Sequence, residues 1–143
     1  MKTTIKIYTK PIPKARPRLY KGKAYTPKKT HDYEELISSS YLIQSNKYFE
    51  ENFVKIKMLF EFEVPKSYNQ KKRSEALKGS LRPSKNDLDN LVKSVLDGLN
   101  RVAFKDDRQV YIIEAEKKFA EQNCVTITIQ TATEWLDGKW KNI

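Results

Sequence analysis

The chain has 143 residues, a formal charge of +10, one cysteine and one histidine. That length suits a single domain with one core. A lone Cys124 and a lone His31 exclude an internal disulfide and a Cys/His zinc centre, so any catalysis must run on carboxylates and lysines, with or without a hard metal ion.

"TTIKIYT" alternates Ile5 and Ile7 with polar residues and predicts a short strand. No apolar run reaches the roughly 20 residues of a bilayer helix, and this N-terminus lacks the apolar stretch of a secretory signal. A cytoplasmic protein with no membrane partner is expected. Residues 11–29 hold Pro11, Pro13, Pro17, Gly22 and Pro27, the composition of a loop with a small hairpin around Gly22. "THDYEELISSSYLIQSNKYF" predicts a helix capped by Thr30 or Asp32, with Tyr33, Leu36, Ile37 and Tyr41 on its apolar side.

"FVKIKMLFEFEV" is the clearest strand. Val54, Ile56, Met58, Phe60 and Phe62 face one way and Lys55, Lys57, Glu61 and Glu63 the other. The long basic stretch that follows holds one short helix around "KKRSEAL"; a loop of that length in a small domain is usually functional. "DLDNLVKSVLDGLNRV" predicts a second main helix, with Leu88, Leu91, Val92, Val95, Leu99 and Val102 at helical spacing. Two strands follow, one starting at Val110 and the other carrying Cys124 as a small buried hydrophobe, joined by a turn near Gln122 and Asn123. The tail turns at Asp137-Gly138, with Trp135 and Trp140 covering a core edge or a subunit contact. The order is β-α-β-α-β-β. It predicts an α+β fold with a small mixed sheet of about four strands packed by two main helices. All of it is one domain, with 1–31 as a basic N-terminal strand and loop and 131–143 as a C-terminal tail.

Charge is spread unevenly. Ten lysines and arginines fall before His31 with no acid among them, and a second cluster runs from Lys66 to Lys85, interrupted only by Glu75. One-sided clusters of this kind suit a polyanion, because each phosphate contact releases condensed counterions. Nucleic acid is the expected partner, with Lys14, Arg16, Arg18, Lys71, Lys72 and Arg73 on its phosphates.

Against that basic background the acids stand out. Asp87 and Asp89 open the second main helix, and Asp106 and Asp107 precede the strand at Val110. A structural account exists: Asp87 as N-cap, Asp89 on the helix dipole and paired with Lys93, Asp97 continuing that face, and Asp106-Asp107 as a surface turn. The competing account starts from repulsion, since neighbouring acids repel unless a cation joins them. A hard cation such as Mg²⁺ takes oxygen ligands and keeps several waters. Carboxylates holding such an ion inside a basic surround match what metal-dependent phosphodiester cleavage needs.

"NDLDNLVKSVLDGL" followed by "FKDDRQV" resembles the RusA family of Holliday junction resolvases, small endodeoxyribonucleases often carried by prophages. The family pattern is a D-x-D-N-x-x-K helix start and a D-D pair before a strand, and "PIPKARPR" with "YTP" echoes its opening segment. The resemblance runs from about Lys10 to Ile129. It implies a homodimer that binds four-way DNA junctions and cuts two strands symmetrically with Mg²⁺ or Mn²⁺, in DNA recombination and repair. By the same resemblance Asp87, Asp89 and Asp107 are the metal ligands, with Asp106 the alternative to Asp107. Lys93 is the catalytic lysine and Asn90 supports the site. Two other readings stand beside it: a non-catalytic basic nucleic-acid-binding protein, and a nuclease for flaps or other branched DNA.

Overall fold

A computed structural model describes residues 1–132; the expected tail turn and the roles of Trp135 and Trp140 lie outside the described residues. The elements are β1 (Lys2–Ile7), a hairpin of β2 (Arg18–Tyr20) and β3 (Lys23–Tyr25), α1 (Lys28–Gln44), β4 (Val54–Glu63), α2 (Gln70–Leu77), α3 (Leu88–Leu99), β5 (Val110–Ala120) and β6 (Cys124–Thr131). Four strands form one sheet in the order β1-β6-β4-β5. β6 runs antiparallel to both β1 and β4, while β4 and β5 are parallel. A parallel pair cannot be closed by a tight hairpin; here α2, α3 and their loops supply the crossover.

Alternation along β4 builds the core. Val54, Ile56, Met58, Phe60 and Phe62 are all buried, with the inward residues of β1 and β6 beside them. α3 lays Leu91, Val95 and Leu99 on that layer, and α1 adds Tyr33, Ile37 and Tyr41. The helices meet closely at Gly98, whose carbonyl accepts a 2.5 Å hydrogen bond from the Ser38 hydroxyl. Cys124 is buried on β6 as expected. The fold is thus the expected α+β arrangement with a mixed four-stranded sheet, and α2 is a third, short helix on the long basic loop.

Two local expectations fail. α1 starts at Lys28, and neither Thr30 nor Asp32 caps it. Pro27, with φ −54° and ψ 143°, holds the chain extended up to the residue before the helix, so the helix begins directly after it. Thr30 then falls on the buried stripe with Tyr33, Ile37 and Tyr41, and Leu36 is left 39% exposed. Asp87 does occupy the N-cap position of α3, but its side chain makes no capping hydrogen bond.

Candidate metal and nucleic-acid site

α3 turns its apolar face inward, so polar residues between those positions face out. Asp87, Asp89 and Lys93 are exposed. Because Asp87 does not cap, its carboxylate oxygens are not used by the helix end. Asn86, at φ 70°, turns the chain into the helix, and its carbonyl accepts from Lys117 Nζ at 2.7 Å. Lys93 lies one turn after Asp89. Asp97, expected to continue that face, is instead paired with Lys14 at 3.0 Å.

The second acid pair sits where α3 has ended. Residues 100–104 turn back tightly, with Ala103 N–H on Leu99 O and Arg101 N–H on Phe104 O at 2.9 Å each. Asp106 then caps the single 3-10 turn Asp107–Gln109. One of its oxygens accepts from the Arg108 N–H at 2.9 Å and from Arg108 Nε at 3.1 Å. That backbone bond, with the guanidinium beside it, holds the Asp106 carboxyl below the usual carboxylate range. Gln109 closes the box: its Oε1 accepts from the Asp106 N–H at 2.9 Å and its Nε2 donates to Asn52 O at 3.0 Å. The pair is therefore fixed against the start of β4. An open groove of about 590 Å³ beside Asp106 is lined by Arg101, Lys105 and Arg108.

One chain does not bring the two acid pairs together. α3 has 12 residues, so its ends are about 18 Å apart at 1.5 Å per residue. The sheet gives the same scale. Asn86 is held by Lys117, whereas Asp107 precedes Val110, and that stretch of β5 spans roughly 23 Å. Among the described residues the one group of three acid or histidine side chains with ligand atoms within 4.8 Å of one another is His31, Asp32 and Glu35, exposed on α1. Adjacent and i,i+4 spacing on one helix face accounts for that group. Asp87 and Asp89 thus offer two oxygen donors of the kind a hard cation takes, but within one chain they lack the third.

The expected phosphate-contacting residues divide. Arg16 and Arg18 are exposed, Arg18 on the hairpin strand β2. Lys71, Lys72 and Arg73 form the first turn of α2, with Lys72 Nζ 4.1 Å from the centre of the Tyr68 ring. Lys14 does not belong with them. Its ammonium is half-buried between Glu34 and Asp97, and its backbone N–H donates to Asn90 O at 2.9 Å. Those contacts tie the basic N-terminal segment to the first turn of α3, so Lys14 positions the segment rather than meeting a phosphate.

Partial burial disfavours the charge on Lys14, but the hydrogen bonds to Glu34 and Asp97 outweigh it and raise the pKa above the ordinary lysine value. Stability from this group is complete below the unfolded lysine pKa and is lost as pH climbs through the higher folded value. The loss therefore falls above about pH 10.4. Replacing Lys14 with Met leaves Glu34 and Asp97 facing each other uncompensated. The expected cost is about 1–2 kcal/mol at neutral pH, read as a lower urea midpoint with unchanged slope.

Several cations near the acids gave no signal in the sequence. Lys117 looks like ordinary strand alternation until the crossover places it at Asn86. Arg101, Lys105 and Arg108 are scattered and surround Asp106 only because residues 100–109 fold back. The hairpin leaves Leu19 78% and Tyr20 67% exposed, with Lys21 Nζ 5.5 Å from the Tyr20 ring centre. A lone "NDLDNL" carries none of this, because each contact joins segments far apart in sequence.

Comparison with known proteins matches residues 9–130 to the family described as Endodeoxyribonuclease RusA. The uncharacterized protein YqaN of Bacillus subtilis (strain 168) is 30% identical to this chain over 135 residues, covering 87% of the chain and 92% of YqaN. The family match includes both acid pairs, Lys93, the second basic cluster and the first from Lys10 onward.

Proposed function

The chain belongs to the RusA endodeoxyribonuclease family, and from that premise we propose that it resolves Holliday junctions in the cytoplasm during DNA recombination and repair. On this reading it is a structure-specific, divalent-metal-dependent nuclease that makes paired, symmetric cuts in four-way DNA. The family match across 9–130 carries the reading. The acids support it: Asp87 and Asp89 flank a helix start without capping it.

Mg²⁺, or Mn²⁺ in its place, is the expected ion, since an all-carboxylate donor set suits a hard cation that polarises phosphodiesters. Asp87, Asp89 and Asp107 are the proposed ligands. Asp106 is the weaker choice, because Arg108 already occupies one of its oxygens. Lys93, exposed one turn after Asp89, suits charge developing on a phosphate held there. Asn90 fixes the site through its carbonyl, which receives Lys14 N–H and the Ser94 hydroxyl at 3.3 Å.

Arg16, Arg18, Lys71, Lys72 and Arg73 would touch phosphates without reading sequence. If about five or more phosphates are neutralised, log affinity falls against log salt with a slope of about −4.5 or steeper. A flat salt response would remove the basic clusters from the DNA surface. The substrate class is tested by offering a four-way junction and a flap built from the same arm sequences. Preferential cutting of the junction is expected. Equal cutting of the flap would give the chain a broader branched-DNA activity instead.

A further inference from the structure

At one end the sheet outruns α3. Lys117 of β5 reaches the Asn86 carbonyl just before that helix begins. Phe119, two residues on and on the same face, lies past the helix start and level with Phe62 of β4. Tyr68, from the loop before α2, roofs this pair, with its ring edge-on to Phe119 at 6.0 Å between centres. Two contacts fix Tyr68: Lys72 Nζ stands 4.1 Å from its ring centre, and its N–H donates to Pro65 O at 3.1 Å.

Between these rings and the loop leading into α3 is a cleft of about 370 Å³, above the roughly 300 Å³ at which small-ligand sites begin. Phe62 and Phe119 give it a flat apolar floor. Its rim carries Lys10 from the first basic cluster and Lys85 from the second, both exposed. Lys85 and Asn86 lead directly into Asp87. Glu63, the one acid among its described lining residues, disfavours a phosphate inside the cleft and leaves the floor to an uncharged group. Aromatic side chains hold nucleobases by stacking whatever their identity, and cations beside them take the phosphates.

We propose, building on the nuclease reading above, that this cleft takes one unstacked nucleobase of the strand to be cut, from the nucleotide adjoining the phosphate held at Asp87 and Asp89. The base lies among Phe62, Phe119 and Tyr68, and Lys10 and Lys85 meet the phosphates on either side of it. A base must leave its stack to enter. That costs least where the duplex is already interrupted. The cleft therefore favours a branch point over continuous duplex, and it does so at the same end of α3 as the acids.

An abasic nucleotide tests this without altering the protein. It is placed in turn at each of the two positions on either side of the branch point of a four-way junction, with affinity read by gel shift in Ca²⁺ and cutting in Mg²⁺. At one position affinity should fall about ten-fold. Tyr68→Ala should weaken the intact junction by a similar factor and the abasic junction not at all, because both changes remove the same contact. Tyr68→Phe keeps the ring and should match the wild type on both. Phe119→Leu keeps the floor apolar without the ring and should repeat the loss on the intact junction alone. Equal losses on intact and abasic junctions would assign both rings to holding the fold and overturn the proposal. Indifference to the abasic nucleotide at every position, with cutting intact, would overturn the base site and leave the nuclease reading standing. Coupled losses in Ca²⁺ without cutting by any form in Mg²⁺ or Mn²⁺ would keep the base site and defeat the nuclease reading.

Discussion

Asp89→Asn should cut four-way junctions at least about a thousand-fold more slowly than the wild type in Mg²⁺, roughly 4 kcal/mol of lost transition-state stabilisation. The substitution keeps size and hydrogen-bonding capacity and removes only the charge. Asp89 is exposed, so the thermal midpoint should stay within a degree or two. Binding to the same junction in Ca²⁺ or EDTA should be retained, because the residues proposed to contact phosphates are on the hairpin, α2 and the N-terminal segment and not at Asp89. Gel-shift and cleavage assays on one labelled junction separate these effects. A variant that cuts as fast as the wild type would return Asp89 to the role of a dipole-complementing surface acid.

Gly98→Ala should destabilise the fold by about 2 kcal/mol, despite the roughly 1 kcal/mol that alanine normally gains over glycine inside a helix. A Cβ at this position would stand 2.8 Å from Ile37 Cβ, 2.9 Å from Ile37 Cγ2 and 3.1 Å from Glu34 O. None of these can swing away. Ile37 is fully buried, and Glu34 O belongs to the α1 backbone. The helices must separate by some tenths of an ångström. That strains the Ser38–Gly98 hydrogen bond and the Lys14–Asp97 pair, which hold α3 in place. Urea unfolding measures the cost directly; a variant as stable as the parent would show that α1 and α3 tolerate a wider spacing.

The sequence made the elements legible where periodicity was strong. β4 alternates along its length except at Leu59, and α3 has a clean apolar stripe, so both were readable from residues alone. α1 was harder to bound, because Pro27 moved its start ahead of the polar residues that look like caps. The acid pairs were readable as types in a basic chain, and their family pattern was readable as spacing. Their separation was not. It follows from α3 running its full length before the chain turns back at 100–104, and spacing along the chain does not reveal whether a helix lies between two groups or folds them together. Lys14 shows the same limit. Its place in a basic run suggested a phosphate contact, but the acids that neutralise it come from α1 and α3, 20 and 83 residues away.

The most direct test of the account is the wild-type protein on an end-labelled four-way junction with Mg²⁺, each strand labelled in turn, with EDTA as the control. Paired nicks at symmetric positions on two opposed strands, absent in EDTA, are predicted. A junction that is bound tightly yet left whole in both Mg²⁺ and Mn²⁺ would contradict it and leave a basic protein that holds branched DNA without cutting it.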